Sequence, residues 1–78
     1  MTTERTLMTM LEVAPLSKKL KEARRRALMT QGELARAAGV GITTIVRIEQ
    51  GQITEPRVST LRKLGHALGI DPRDLLED

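Results

Sequence analysis

The chain contains no cysteine and no aromatic residue, and each absence excludes a class of site. Without cysteine it can form neither a disulfide framework nor a thiolate metal site. Without aromatic rings it lacks a platform on which the bases of RNA or single-stranded DNA could stack. No apolar run approaches the ~20 residues that a membrane-spanning helix needs, and no signal-peptide pattern is visible. These absences together favour a cytoplasmic protein.

The features expected of an enzyme are also missing from the sequence. The single histidine, His66, has no evident nucleophile, and the carboxylates are scattered at cap and surface positions. The segment Gly39–Gly41 lacks the spacing and the lysine of a phosphate-binding loop. We therefore expect no enzymatic activity, no cofactor and no metal. The length of 78 residues predicts one small domain, and the net charge of +3 only mildly favours a polyanionic partner.

What the sequence does contain is a pair of short helical patterns between Thr30 and Gly51. Thr30 followed three residues later by Glu33 predicts a capping box at the start of the first helix. Gly39 predicts its end, because glycine adopts the left-handed conformation at little cost. The small apolar residues between these signals suit a helix that packs closely on a neighbour: Leu34, Ala35 and Ala38.

The second helix of this pair is predicted to start after Gly41 and to end at Gly51. Val40 and Ile45 would form a hydrophobic staple at its start. Its inward stripe would consist of Ile45, Ile48 and Glu49. Its outward side would carry Thr43, Arg47 and Gln50, with Ile42 and Val46 beside them. A short helix with an arginine on its polar face is suited to the major groove of DNA.

A preceding helix is predicted over residues 17 to 28, with Ser17 as its cap. Its apolar stripe would contain Leu20, Ala23, Ala27 and Leu28. Arg24 lies one turn from two of these leucines and therefore faces inward, and Glu49 faces inward on the later helix. Because a buried charge needs a partner, we expect Arg24 and Glu49 to form an ion pair.

Two further helices are predicted in the C-terminal part of the chain. The first covers residues 58 to 68, with a core face of Val58, Leu61, Leu64 and Leu68. Gly65 within it costs about 1 kcal/mol relative to alanine, which indicates close packing at that point. The last helix is predicted to start at Asp71, with Pro72 at the first helical position. Leu75 and Leu76 would complete the core.

Residues 1 to 16 form a separate N-terminal extension in this interpretation. Leu7, Met10, Leu11 and Ala14 have helical spacing, and Pro15 would end a helix there. Two interpretations remain open: an arm that packs on a partner subunit, and a mobile tail.

Residues 17 to 77 resemble the Cro/C1-type helix-turn-helix family of phage-repressor-like DNA-binding domains. The matching segments are LKEARRRALMTQGELARAAGV, TTIVRIEQG and TLRKLGHALGIDPRDLL. The resemblance implies an all-α, five-helix, lambda-repressor-like domain over residues 17 to 78. It also implies the Arg24–Glu49 pair. The chain departs from the common pattern at Gly41, where a serine or threonine cap is usual, and at Ile42, where a polar residue is frequent.

Carried onto this sequence, the resemblance implies two groups of DNA contacts. The expected base contacts are Ile42, Thr43, Val46 and Arg47. The expected phosphate contacts are Gln31, Gln50, Gln52, Thr54 and Arg57. Glu55 departs from the basic residues often found in this loop, and its charge would repel phosphate.

We therefore expect a sequence-specific regulator of bacterial transcription, most simply a repressor, that binds double-stranded DNA as a homodimer. Two alternatives remain. The chain could be an antitoxin or another protein-interaction module. In that case the N-terminal extension and the outward Ile42 and Val46 would contact the protein partner. It could also be a controller protein of a restriction–modification system, which would activate as well as repress.

Overall fold

The structure, a computed structural model, describes residues 15–76, and all regular secondary structure in this range is helical. Four α-helices are followed by one short 3-10 helix where a fifth α-helix was predicted. The elements are α1 (Leu16–Arg26), α2 (Gln31–Ala38), α3 (Ile42–Glu49), α4 (Val58–Leu68) and the 3-10 helix (Pro72–Leu75).

Helix α1 begins one residue before the predicted cap. Pro15 is the residue that precedes the helix, with φ −66° and ψ 159°, and no side chain caps the first turn. Ser17 is therefore not the cap, because it already lies inside the helix. Leu16, which the sequence analysis assigned to the extension, starts α1 and is buried in the core.

The end of α1 also differs from the prediction, which placed Leu28 on its apolar stripe. The helix ends at Arg26, and Leu28 has a φ of 57° and is 90% exposed. The chain turns sharply here, so that the backbone N–H of Met29 donates to the carbonyl of Arg24 at 3.1 Å. This turn directs Leu28 away from the core.

Helices α2 and α3 follow the local signals of the sequence. The Thr30 hydroxyl accepts from the N–H of Glu33 at 3.0 Å, and the Glu33 carboxylate accepts from the N–H of Thr30 at 2.9 Å. This is the predicted capping box. Gly39 ends α2 in the left-handed region with φ 69°, where a side chain would clash with the backbone. Gly41 precedes α3 without a side-chain cap.

One hydrophobic core joins all five elements. Helix α1 packs on α3 and the 3-10 helix, α2 packs on α3 and α4, and α4 packs on the 3-10 helix. The buried apolar residues are Leu16, Leu20, Leu34, Ala35, Ala38, Ile45, Ile48, Leu61, Leu64 and Leu75. Helix α3 is thereby held by two neighbours, which leaves one of its sides open.

Besides Leu28, two residues that were predicted to lie in the core are on the surface: Val58 and Leu76. Val58 is 62% exposed, because it is the first residue of α4 and lies beyond the edge of the core. Leu76 is 44% exposed. It follows a 3-10 helix, in which successive residues point about 120° apart, so that Leu75 points inward and Leu76 does not.

Gly65 provides the close approach that the sequence analysis expected at this position. A methyl group added to Gly65 would lie 2.8 Å from Cγ of Pro72 and 2.9 Å from its Cα and N. The backbone N–H of Ile70 also donates to the Gly65 carbonyl at 2.9 Å. The segment from Ile70 to Pro72 therefore packs directly on the surface of α4.

The predictions for Leu7, Met10, Leu11 and Ala14 concern the N-terminal extension and lie outside the described residues. Within residues 15–76, no helix has both the length and the apolar character that crossing a membrane requires.

Candidate nucleic-acid interface

Helix α3 has one side in the core and the opposite side in solvent. Ile45 and Ile48 are fully buried, and Glu49 is 8% exposed. On the other side, Thr43 and Arg47 are exposed. This division follows from the helical repeat, since residues three or four apart share a face. The outward side thus presents a hydroxyl and a guanidinium on a short, well-supported helix.

The two apolar residues expected on the outward side differ in their surroundings. Ile42 is 50% exposed, and its Cδ1 lies 3.8 Å from the point where a Cβ on Gly32 would be. Ile42 therefore reaches back to the first turn of α2. Val46 is only partly exposed. The first turns of α2 and α3 consequently lie together on one side of the molecule.

A buried ion pair fixes the inner side of α3 to α1. The Arg24 Nε donates to Oε2 of Glu49 at 2.7 Å, and its Nη2 donates to Oε1 at 2.9 Å. The side chains are 13% and 2% exposed. A third donor, Arg24 Nη1, binds the carbonyl of Met29 at 2.9 Å. The expected Arg24–Glu49 pair is present, and the same guanidinium also holds the turn between α1 and α2.

Gln31 has a contact that the sequence analysis did not foresee. Its Nε2 donates to Oε1 of Glu49 at 3.1 Å, so this residue of α2 joins the ion pair. Nothing in the spacing of the two residues signalled this bond, because it depends on how α2 and α3 pack. An amide has two N–H groups and an oxygen acceptor, so Gln31 keeps one donor and its oxygen for a ligand.

The pKa values of the ion pair show how the charges are maintained. Burial alone would raise the pKa of Glu49, but the hydrogen bonds from Arg24 and Gln31 outweigh it, and the pKa is lowered. The hydrogen bond to Glu49 raises the pKa of Arg24. Both groups are therefore charged at neutral pH, and no buried side-chain nitrogen or oxygen of residues 15–76 lacks a hydrogen-bond partner.

The loop after α3 carries the other expected contact residues. Gln50, Gln52, Thr54 and Arg57 are all exposed. The Nε2 of Gln52 donates to Oε1 of Gln50 at 3.0 Å, which brings these two amides together. Arg57 is the residue just before α4, so it lies at the far end of the loop from α3. Glu55 is exposed in the same loop, where it adds a negative charge.

The exposed groups of α3 and the loop are mostly hydrogen-bond donors and positive charges, with Glu55 as the negatively charged exception. Within the described part of the chain, no cluster of three or more histidines and carboxylates could hold a metal ion. His66 is exposed on α4. What the exposed groups of α3 and the loop can do is donate hydrogen bonds and attract anions.

Comparison with known proteins supports the same reading of the fold. A family model described as "Helix-turn-helix" matches residues 20–75, a range that contains the α2–turn–α3 unit. The chain is also 31% identical over 64 residues to a protein of Bacillus subtilis (strain 168), named as the uncharacterized HTH-type transcriptional regulator RghRB. The match covers 82% of this chain and 46% of that protein, so the chain spans about half the length of this relative. The chain belongs to the helix-turn-helix family, of the Cro/C1 type.

Proposed function

We propose that this protein is a transcription regulator, in the simplest case a repressor, that binds a specific sequence in double-stranded DNA. Helix α3 would enter the major groove, and Thr43 and Arg47 would contact base edges. The observation that carries this proposal is the exposed outward side of α3, opposite the side that Ile45, Ile48 and Glu49 bury. The recorded name of the relative, a transcriptional regulator, agrees with it.

Each outward residue has a chemical role in this proposal. The Arg47 guanidinium can donate two parallel hydrogen bonds to O6 and N7 of a guanine. Thr43 can bond to a base or to a phosphate. Ile42 and Val46 offer methyl groups that suit the methyl group of thymine. None of the four is needed to satisfy a buried polar group, so all can be committed to the ligand.

A second set of residues would set the position of α3 on the duplex. Gln31 lies at the start of α2, where unpaired backbone N–H groups attract anions, and its bond to Glu49 holds the side chain in place. We place a phosphate at its remaining N–H. Gln50, Gln52, Thr54 and Arg57 would follow the backbone along the loop. Such contacts add affinity that falls as salt rises, and they carry no sequence information.

The decisive experiment is a selection from random duplex DNA, followed by binding measurements on single-base variants of the selected site. Arg47→Ala should lose ~1–3 kcal/mol at one base position and relax the preference there. Gln31→Ala should weaken binding to all sequences alike. Lys63→Ala, which removes one positive charge from an exposed position of α4, is the control for a general loss of positive charge.

The proposal would fail if Arg47→Ala and Gln31→Ala changed the affinity for every duplex by the same factor. It would also fail if the selection returned no enriched sequence. Thermal melts of each variant separate a loss of DNA contact from a loss of folding, which matters most for Gln31 because it also bonds Glu49.

We further propose that the protein binds its operator as a homodimer, through the end of α4 around residues 68–70. Two recognition helices would then meet half-sites about one turn of DNA, or roughly 34 Å, apart. A two-fold repeat in the selected sequence supports the dimer. A monomeric mass by sedimentation at micromolar concentration, together with a selected site lacking a repeat, contradicts it.

A second candidate function is a protein-interaction module such as an antitoxin, and the exposed Ile42 favours it. A branched apolar side chain that is 50% exposed beside Val46 provides a small patch for a protein partner. Ile42→Ser would then abolish capture of that partner from the source cell. If the main function is DNA binding, the same substitution instead changes the preferred base at one position of the site.

A further inference from the structure

An apolar groove lies on the side of the domain formed by the start of α1, the start of α4 and the C-terminal 3-10 helix. It encloses about 880 Å³. Its apolar lining includes Leu16, Val58, Leu61, Pro72, Leu75 and Leu76. Two of these, Val58 at 62% and Leu76 at 44%, are large apolar side chains left exposed. Burying them would remove apolar surface from water, which is favourable at about 25 cal/mol per Å².

The groove begins where the N-terminal extension joins the domain. Leu16 is both the first residue of α1 and part of the groove lining. Pro15, just before it, is extended with ψ 159° and lies outside α1. A segment attached at this point needs no linker to reach the groove, and a short tether gives a high effective concentration.

The extension carries the complementary apolar pattern. Leu7, Met10, Leu11 and Ala14 fall on one stripe if residues 7–14 are helical, and such a helix is about 12 Å long. The opposite side of that helix would carry Thr9 and Glu12. Arg62 lies among the residues that line the groove, where it can meet the carboxylate of Glu12.

We propose that residues 7–14 of the same chain cover this groove, with Leu7, Met10 and Leu11 packed on Val58 and Leu76. The extension would then complete the core of the domain. The same segment on a second copy is the less favoured occupant, because it would forgo the advantage of the direct tether. A two-fold dimer through the groove is less favoured still. In such a dimer the same surface of each copy faces the other, and two concave grooves that face each other do not fill one another.

The first test exploits the exposure of Val58. If the groove is open, Val58→Asp is harmless, because the side chain is exposed and an acidic residue in the first turn of a helix is favourable. If residues 7–14 cover it, the substitution buries a carboxylate, and the unfolding equilibrium constant in urea should rise about tenfold or more. Leu11→Asp should have a similar effect, and Thr9→Asp, with the same new charge on the opposite side, should not.

A double-mutant cycle with milder substitutions tests the contact between Leu11 and Val58 directly. Val58→Ala and Leu11→Ala each remove apolar atoms without adding charge. If the two side chains touch, their combined effect on the unfolding equilibrium constant should differ from the product of the single effects by about threefold or more. Independent effects would contradict the contact.

The second test distinguishes the same chain from a second copy. The sequence has no native cysteine, so an engineered pair is the only thiol pair present. Leu11→Cys with Val58→Cys in one full-length chain should oxidise to a bridge within the monomer, and Thr9→Cys with Val58→Cys should do so much more slowly. Mixing the two single variants, Leu11→Cys and Val58→Cys, should give little disulfide between chains.

Each other outcome overturns the proposal. A bridge that forms readily between the mixed single variants would place the segment on a second copy. Equal rates of disulfide formation for the Leu11 and Thr9 pairs would show that attachment of the segment near the groove brings the thiols together without a specific packed contact. A neutral effect of Val58→Asp would show an open groove. None of these residues is assigned to the DNA surface, so this proposal and the proposed function can fail separately.

Discussion

Helices α1 to α3 are joined by a buried ion pair and by capping hydrogen bonds, whereas α4 and the 3-10 helix are joined by close packing. In the first region, Arg24 and Glu49 connect three segments through hydrogen bonds of 2.7 to 3.1 Å. In the second, Gly65 brings the backbone of Pro72 onto the helix surface. The comparison teaches that polar groups help to fix α3, the helix that carries the proposed DNA contacts, and that apolar packing closes the other end.

The largest expected effect comes from removing one partner of the ion pair. Arg24→Ala leaves the carboxylate of Glu49, whose side chain is 2% exposed, without its main partner. We expect a loss of about 3–5 kcal/mol of stability, measured by urea unfolding. The double substitution Arg24→Leu with Glu49→Leu should recover much of this loss, because it leaves no unpaired charge. If the single and double variants were equally unstable, the ion pair would not be what fixes this region.

Acid sharpens the comparison, since the first region contains the buried carboxyl of Glu49, whereas the carboxyl that caps the 3-10 helix, Asp71, is exposed. The pKa of Glu49 is lowered in the folded protein. A carboxyl of this kind adds stability above its unfolded pKa of about 4.3 and loses that contribution as the pH falls through the folded value. The stability of the wild type should therefore fall below about pH 4.3, as measured by urea unfolding.

Glu49→Gln should reduce the steepness of this acid loss, because it removes one of the carboxyls responsible. The pKa values of Glu33 and Asp71 are also lowered, by the hydrogen bonds from Thr30 and Arg73 respectively, so some loss should remain. An unchanged slope in the variant would show that Glu49 does not contribute to acid sensitivity.

In the C-terminal region, Gly65→Ala should destabilise the protein by about 1–2 kcal/mol. The new methyl would lie 2.8 to 2.9 Å from Pro72, and overpacking of this kind costs ~1–3 kcal/mol. That cost exceeds the gain of up to about 1 kcal/mol in helix propensity. The matched control is Gly32→Ala in α2, where the nearest neighbour is 3.8 Å away and alanine should stabilise. Equal effects of the two substitutions in thermal melts would contradict the close approach.

The smallest expected effect is a gain in stability at the turn between α1 and α2. Leu28 has a φ of 57°, which costs a side-chain-bearing residue about 1–2 kcal/mol. Leu28→Gly should remove this strain, partly offset by the greater freedom of glycine in the unfolded chain, for a net gain of about 0.5–1 kcal/mol. Leu28→Ala keeps its Cβ and should show no such gain. Urea unfolding of both variants decides the matter.

The sequence predicted best the features that local signals determine. Thr30, Glu33 and Gly39 determine where α2 begins and ends through their own backbone bonds, so the capping box and the left-handed end were both predicted correctly. The buried and exposed sides of α3 were likewise predicted, because the helical repeat alone assigns Ile45 and Ile48 to one side and Arg47 to the other.

Apart from the two ends of α1, which differ from the prediction for local reasons, the features that were predicted wrongly concern how the elements pack together. Val58 and Leu76 fit the apolar pattern, yet nothing in the pattern reports where the core ends. The last element has the proline and aspartate of a helix start, and Asp71 does accept from the N–H of Arg73 at 2.9 Å. It nevertheless stops after one 3-10 turn. The bond between Gln31 and Glu49 was missed for the same reason, since only the packing of α2 on α3 brings the two together.

The separation of roles within α3 has a consequence for how such a protein diverges and how it can be redesigned. Folding depends on the inner side, whereas Thr43 and Arg47 contribute nothing to the core. Random replacement at the outward positions should therefore give libraries in which most members remain folded. If α3 reads DNA as proposed, a new target sequence would be reached by changing two or three side chains, with no compensating mutation elsewhere in the scaffold.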